Sequence, residues 1–242
     1  MLQWIRKYLF SLRKDIVFLL FVDGAFLLIM ELVLRRIPAP IPIFIKIGDV
    51  LVTLGISFLA SFIFYFVQVH MPEVKQKKNL YPVISQLFGR IISIEKSFIT
   101  NFVNVNSFDA LTEENIREGT NDRDVNAQNA PLHLIGANRS ANWMEYGFSS
   151  VADIDKNWEM LMKYSAYMDS EMLLLLSKIQ SNGTLGFFRT MKGIYSTMRQ
   201  GIHLNGFDAG MVAFWGFVKE QDLYFNREFV GYGEQNDRVV RH

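Results

Sequence analysis

Asp153-x-Asp155 is the nearest approach to a catalytic pair in this chain, because two closely spaced carboxylates can hold a metal–nucleotide. The same acids follow Ser149-Ser150, and there they also read as first-turn partners of a helix dipole capped by one of those serines. Gly147-Phe-Ser149 would open a nucleophile elbow, but Val151 stands where the second glycine is needed. Gly231-Tyr-Gly233 is a lone glycine pair with no helix after it to receive a phosphate. His70, His133, His203 and His242 share no metal-ligand spacing, although His133 lies in a loop-like stretch with Asp122 and Asp124 where a folded site stays open. The absence of cysteine removes disulfides, thiolate zinc sites and cysteine nucleophiles, and fits a reducing compartment. Asn138-Arg-Ser140 and Asn182-Gly-Thr184 matter as glycosylation sequons only in an exported domain. No catalytic, cofactor or metal residue is assigned, and the chain is expected not to be an enzyme.

A carboxylate of another kind stands at Asp23. It lies seven residues inside the apolar run Ile16–Leu34, where a charge costs about 2.5–3.5 kcal/mol on insertion scales if the run crosses a bilayer. It reads either as a polar contact that holds an assembly together or lines a pore, or as a locally hydrogen-bonded group with a packing role alone. The second apolar run, Ile47–Val69, carries small residues at Thr53, Ser57, Ala60 and Ser61, with Gly55 nearby. Small residues let helices approach closely in lipid, within one chain or between chains. These six residues are the candidate packing or pore positions.

The elements that position them are two membrane spans. The runs hold nineteen and twenty-three residues, and at ~1.5 Å per residue each can cross a hydrocarbon core of ~30 Å. Between them Pro38, Pro40 and Pro42 alternate with apolar residues, which predicts a stiff, extended hairpin tip. Four Lys/Arg precede the first span and three closely follow the second, against three in the connection, so both termini are expected in the cytoplasm. Trp4, Tyr8 and Tyr65 would then meet headgroups on one side. Residues 1–15 place Leu2, Ile5, Leu9 and Leu12 at helical spacing among basic residues, as an in-plane amphipathic helix or an extension of the first span.

Charge divides the chain in the same way. Residues 1–80 hold ten Lys/Arg against five acids, and the remainder fifteen against nineteen. Basic flanks suit anionic lipid, whereas a mildly acidic remainder argues against direct nucleic-acid binding. The part beyond the spans, 70–242, is predicted to be a small helical bundle, which makes the fold all-α. A helix is expected over Pro82–Asn104, with Val83, Leu87, Ile91, Ile94, Phe98 and Phe102 on its apolar face and Pro82 in its first turn. Residues 105–150 read as a long irregular insertion with one short helix after Thr112. A second helix runs from Ser150 until Gly183 stops it, a third over Leu185–Ile202 and a fourth over Asp208–Phe229, before a loose tail at 231–242. Met160, Met162, Met168, Met172, Met191 and Met198 read as core filling or as an adaptable partner surface. The aromatic run from Phe207 to Phe229 is rich enough to suggest burial against another subunit.

The hairpin Ile16–Leu34 and Ile47–Val69, the basic exit Lys75-Gln-Lys-Lys78 and the helical C-terminal domain together resemble the two-transmembrane effectors of bacterial anti-phage systems, including those that accompany retrons. The resemblance spans the whole chain at the level of layout and carries over no functional residue. It implies a multi-pass protein of the bacterial inner membrane, restrained by a protein or by a reverse transcriptase–nucleic acid partner. It further implies homo-oligomers that permeabilise the bilayer when released. A membrane-anchored adaptor or accessory subunit, with no pore activity, is the other reading of the same layout.

Overall fold

The computed structural model describes residues 14–32, 42–195 and 207–230. The chain is mostly helical and divides into two compact units, Met1–Asn79 and Leu80–His242. The boundary lies ten residues beyond the expected end of the hairpin. The amphipathic segment at 1–13, the connection at 33–41, Met198, His203 and the tail at 231–242 lie outside the described residues.

In the first unit, α1 (Lys14–Leu32) and α2 (Pro42–Tyr65) pack side by side. Gly48 meets Met30 and Gly55 meets Leu27 and Asp23, so the two helices run antiparallel. Phe66–His70 follows as a π-helical turn closed by Met71 N–H donating to Phe66 O. Pro72 follows directly after Met71, and its ring would crowd the carbonyl four residues back in a regular α-turn, a clash that a widened turn relieves.

Among the described residues one helix is long and apolar enough to cross a membrane, the continuous run Lys46–Val103 that begins within α2. Only 6% of its most apolar stretch is buried, whereas a core helix of a soluble protein would be largely covered. α1 carries Asp15, Asp23 and Glu31 within its nineteen residues.

The second unit is built on α3 (Met71–Val103), of which residues from Leu80 onward belong to it. Pro82 stands inside this helix and not at its start. Its position is exposed, so water can serve the carbonyl that loses its amide partner. The helix ends where Asn104 turns left-handed (φ 64°) and Val105 N–H reaches back to Thr100 O at 2.9 Å. The buried face is Ile84, Phe88, Ile91, Ile92, Glu95, Phe98, Ile99, Phe102 and Val103, with Leu87 and Ile94 half-buried against the same core, so the predicted stripe holds except at Val83, which is exposed.

The short helix after Thr112 is present as α4 (Glu113–Asn121), with a capping box between Thr112 and Asn115. It is followed by a departure from the all-helical expectation: His133–Leu134 (β1) pairs antiparallel with Arg139–Ser140 (β2), and Asn138 turns left-handed between them. Helix α5 (Trp143–Met162) starts seven residues before the expected Ser150. Its cap is Asn142, whose side chain accepts from Glu145 N–H while Glu145 accepts from Asn142 N–H. Ser149, Ser150, Asp153 and Asp155 therefore lie inside a helix, and the first-turn reading of the acids gives way. The chain breaks again at Tyr164–Asp169, and Asp169 caps α6 (Ser170–Ser181). Gly183 begins α7 (Gly183–Ile194), capped by Asn182, where it was expected to stop a helix. The last helix, α8 (Phe207–Phe225), passes into a π-helical turn at Asn226–Val230.

Phe98 ties these elements together. Its ring meets Phe102 on its own helix, Tyr146 on α5, Phe188 on α7 and Phe214 on α8, at centroid separations of 5.4–6.4 Å. Such ring contacts add roughly 0.5–1.5 kcal/mol each beyond area burial. Phe214, Tyr224 and Phe229 are buried, and Phe207, Trp215, Phe217 and Phe225 pack on the same core. The aromatic run is thus consumed inside the domain. Met172 and Met144 are core residues, and Met162, Met168 and Met191 rest against them, in keeping with core filling.

Candidate functional site

The candidate positions in the first unit separate onto two faces of α2. Gly48 and Gly55 are seven residues apart and look toward α1. A Cβ on Gly55 would come within 2.9 Å of Leu27 Cδ2 and 3.0 Å of Asp23 Oδ1, so glycine is what lets the Asp23 carboxyl lie against α2. Asp23 Oδ2 is buried at that contact and has no hydrogen-bond partner. A carboxyl oxygen covered without a donor is costly, which sets this position apart from Asp15, Glu31 and Asp49, the exposed acids of the same helix pair.

Thr53, Ser57, Ala60 and Ser61 lie on the other side of α2 and are exposed. Their hydroxyls form a ladder along the helix: Thr53 donates to Asp49 O, Ser57 to Thr53 O and Ser61 to Ser57 O, each at 2.8 Å. Each donor is satisfied within its own helix, so the stripe can enter an apolar medium without an orphaned hydroxyl hydrogen. Gly55, near this stripe in sequence, meets Asp23 within the chain, whereas the hydroxyl stripe faces outward.

The second unit holds a polar pair that the sequence reading did not mark. Glu95 is fully buried, and Gln221 Nε2 on α8 donates to its Oε2 at 2.7 Å. Burial pushes the Glu95 carboxyl up to about 8, against the smaller opposing effect of the Gln221 hydrogen bond. Glu95 Oε1 and Gln221 Oε1 have no partner. A protonated carboxyl is a donor as well as an acceptor, and facing a carboxamide it complements both of that group's ends. The signal was present in the sequence: Glu95 is four residues beyond Ile91 and three before Phe98, on the apolar stripe itself.

No family model, curated protein or solved structure matches this chain.

The remaining chemical candidates do not converge. Asp155 is ion-paired to Arg189 at 2.6 Å while Asp153 is exposed, so they hold no common ligand. His133, Asp122 and Asp124 are exposed, and Asp124 Oδ1 accepts from Asn126 N–H in a local turn. Among the described residues no three His, Asp or Glu side chains are grouped as a metal site requires. Gly231, Gly233 and His242 lie outside the described residues.

Proposed function

We propose that this chain is a membrane effector whose helical pairs span the bilayer, assemble through α2 and permeabilise it under the control of the helical domain. The observation that carries the proposal is the two-sidedness of α2, with glycines used against α1 and a hydroxyl stripe left open. In lipid, helices associate by close packing and polar contacts, and the open stripe supplies both. One hairpin cannot enclose water, so permeation requires several copies. The large apolar side chains left exposed on both helices, such as Phe18, Phe21, Leu54 and Phe64, support a lipid environment for α1 as well as α2. Asp23 then joins the two spans at mid-depth.

The distribution of Lys and Arg supports a cytoplasmic position for both termini, and the layout suggests a bacterial inner membrane. Anti-phage defence, with restraint by a protein or a reverse transcriptase–nucleic acid complex, rests on that layout alone. The acidic balance of residues 81–242 argues that any nucleic acid would be met through such a partner. A second reading, a membrane-anchored adaptor, is favoured by the hydroxyl ladder, which is satisfied inside α2 and needs no neighbour.

The test is membrane potential in bacteria after induction of the parent chain, Asp23→Asn and Ser57→Leu, with membrane insertion measured for each. The effector reading expects rapid depolarisation by the parent and its loss in Ser57→Leu, which inserts at least as well because it is more apolar. Asp23→Asn keeps the packing volume and is expected to depolarise less than the parent. An intact potential with the parent would move the assignment to the adaptor, and equal depolarisation by Ser57→Leu would remove the hydroxyl stripe as the assembly face.

A further inference from the structure

Two leucines of the second unit stand open to solvent on adjacent helices, Leu174 on α6 at 56% and Leu223 on α8 at 73%. Two inter-helix ion pairs frame them. Glu171 meets Arg227 at 2.6 Å and Lys178 meets Glu220 at 2.6 Å. Numbering rises along α6 from the first pair to the second and falls along α8, so the helices are antiparallel here. Leu174 is three residues after Glu171 and four before Lys178. Leu223 is three after Glu220 and four before Arg227. Positions three and four apart share an α-helical face, which groups Glu171, Leu174 and Lys178 on α6 and Glu220 with Leu223 on α8, and Arg227, in the π-helical turn after α8, joins them through its ion pair with Glu171.

The corners of that surface alternate in sign, Glu171 beside Arg227 at one end and Lys178 beside Glu220 at the other. Arg227 is also held by Glu228, one residue along, at 2.8 Å. An alternating square of charges is complementary to itself. Turned face to face about a two-fold axis parallel to the helices, each acid meets the base beside it in the other copy, and Leu174 meets Leu223. Turned about an axis perpendicular to the helices, each acid meets the base below it, and each leucine meets its own counterpart. Isologous contacts need this self-match, whereas a patch of one sign would repel its copy.

We propose that this surface is a contact between two copies of this chain. The two leucines cover far less than the ~800 Å² per partner of a stable dimer, so the contact is weak between freely diffusing molecules. Copies confined to one membrane reach an effective concentration at which a weak contact becomes populated. In that respect alone the surface rests on the membrane reading, and it requires no permeation. Its role is to bring helical domains together in pairs, which gives a partner protein a contact to block or release.

The absence of native cysteine makes the test direct. Full-length chains carrying single Leu174→Cys or Leu223→Cys substitutions are reconstituted together or singly in lipid vesicles and exposed to a short thiol crosslinker. Ile135→Cys, at an 89% exposed loop position, serves as the collision control. Crosslinking at 174 and 223 is expected to exceed the control about tenfold, and to return to the control level when Glu171→Lys and Glu220→Lys make all four corners basic, which repels the copies about either axis. The mixed pair predominates for the parallel axis and the like pairs for the perpendicular one. Helicity by circular dichroism verifies that each variant folds. Crosslinking no greater than at position 135, in folded protein, overturns the contact. Dye retention by the same vesicles reports on the effector reading separately, so either can fail without the other.

Discussion

Glu95 shows how one buried side chain governs the response of the second unit to pH. Its folded pKa is raised from 4.5 to about 8, so the folded state retains a proton that the unfolded state releases between those values. The unfolded state binds fewer protons in that window, and stability therefore falls as pH rises through it, by at most about 1.4 kcal/mol per pH unit, and levels off above the folded value. Glu95→Gln keeps the shape and removes the titration. Denaturant midpoints are expected to agree between parent and variant near pH 5 and to favour the variant by several kcal/mol near pH 9. An unchanged pH slope in the variant would remove Glu95 from this role. The sequence carried the clue as an acid on an apolar stripe, but its partner Gln221 lies 126 residues away and only the folded packing pairs them. Asp23 was legible for the opposite reason: within a long apolar run it has no polar neighbours to hide among.

The helices were legible where capping is local and obscured where packing decides. Thr112 and Asn115 announce α4 within four residues. The start of α5 was missed because its first turns bury Trp143, Met144 and Gly147, and a glycine on the buried face breaks the apolar rhythm. The break between α5 and α6 was missed because a 3₁₀ turn at Ser165–Tyr167 keeps apolar residues at three-residue spacing. Gly147 is required by the approach of α7: a Cβ there would lie 2.3 Å from Phe188 Cε1. That ring cannot retreat freely, since Phe98, Phe148 and Phe207 surround it. Gly147→Ala is expected to lower stability by about 1–3 kcal/mol through overpacking. Gly186→Ala, in α7 with nothing within 4 Å of the added methyl, is expected to raise it by about 0.5–1 kcal/mol. Chemical denaturation of the two variants measures both, and an equal effect from the pair would refute the packing explanation.

At the scale of the molecule, apolar surface is partitioned between the units. Twenty of the twenty-six exposed large apolar side chains among the described residues fall between Val17 and Val69, while the hydrophobic core runs from Ile84 to Phe229. The charge asymmetry of the sequence anticipated this division, although the compact boundary lies at Asn79 and Leu80, inside α3 and past the basic exit. The second unit therefore has what independent folding requires: its own core, with contacts that link α3, α5, α7 and α8 through one aromatic cluster. A fragment of Leu80–His242 is expected to be soluble without detergent, strongly helical and cooperative in thermal unfolding. Its single transition should shift down by several degrees with Phe98→Ala, because losing a buried aromatic costs about 3–5 kcal/mol. The full chain, by contrast, is expected to need detergent or lipid. A fragment that aggregates or melts without cooperativity would mean that the second unit draws its stability from the first, and the independence of the two units would fall with it.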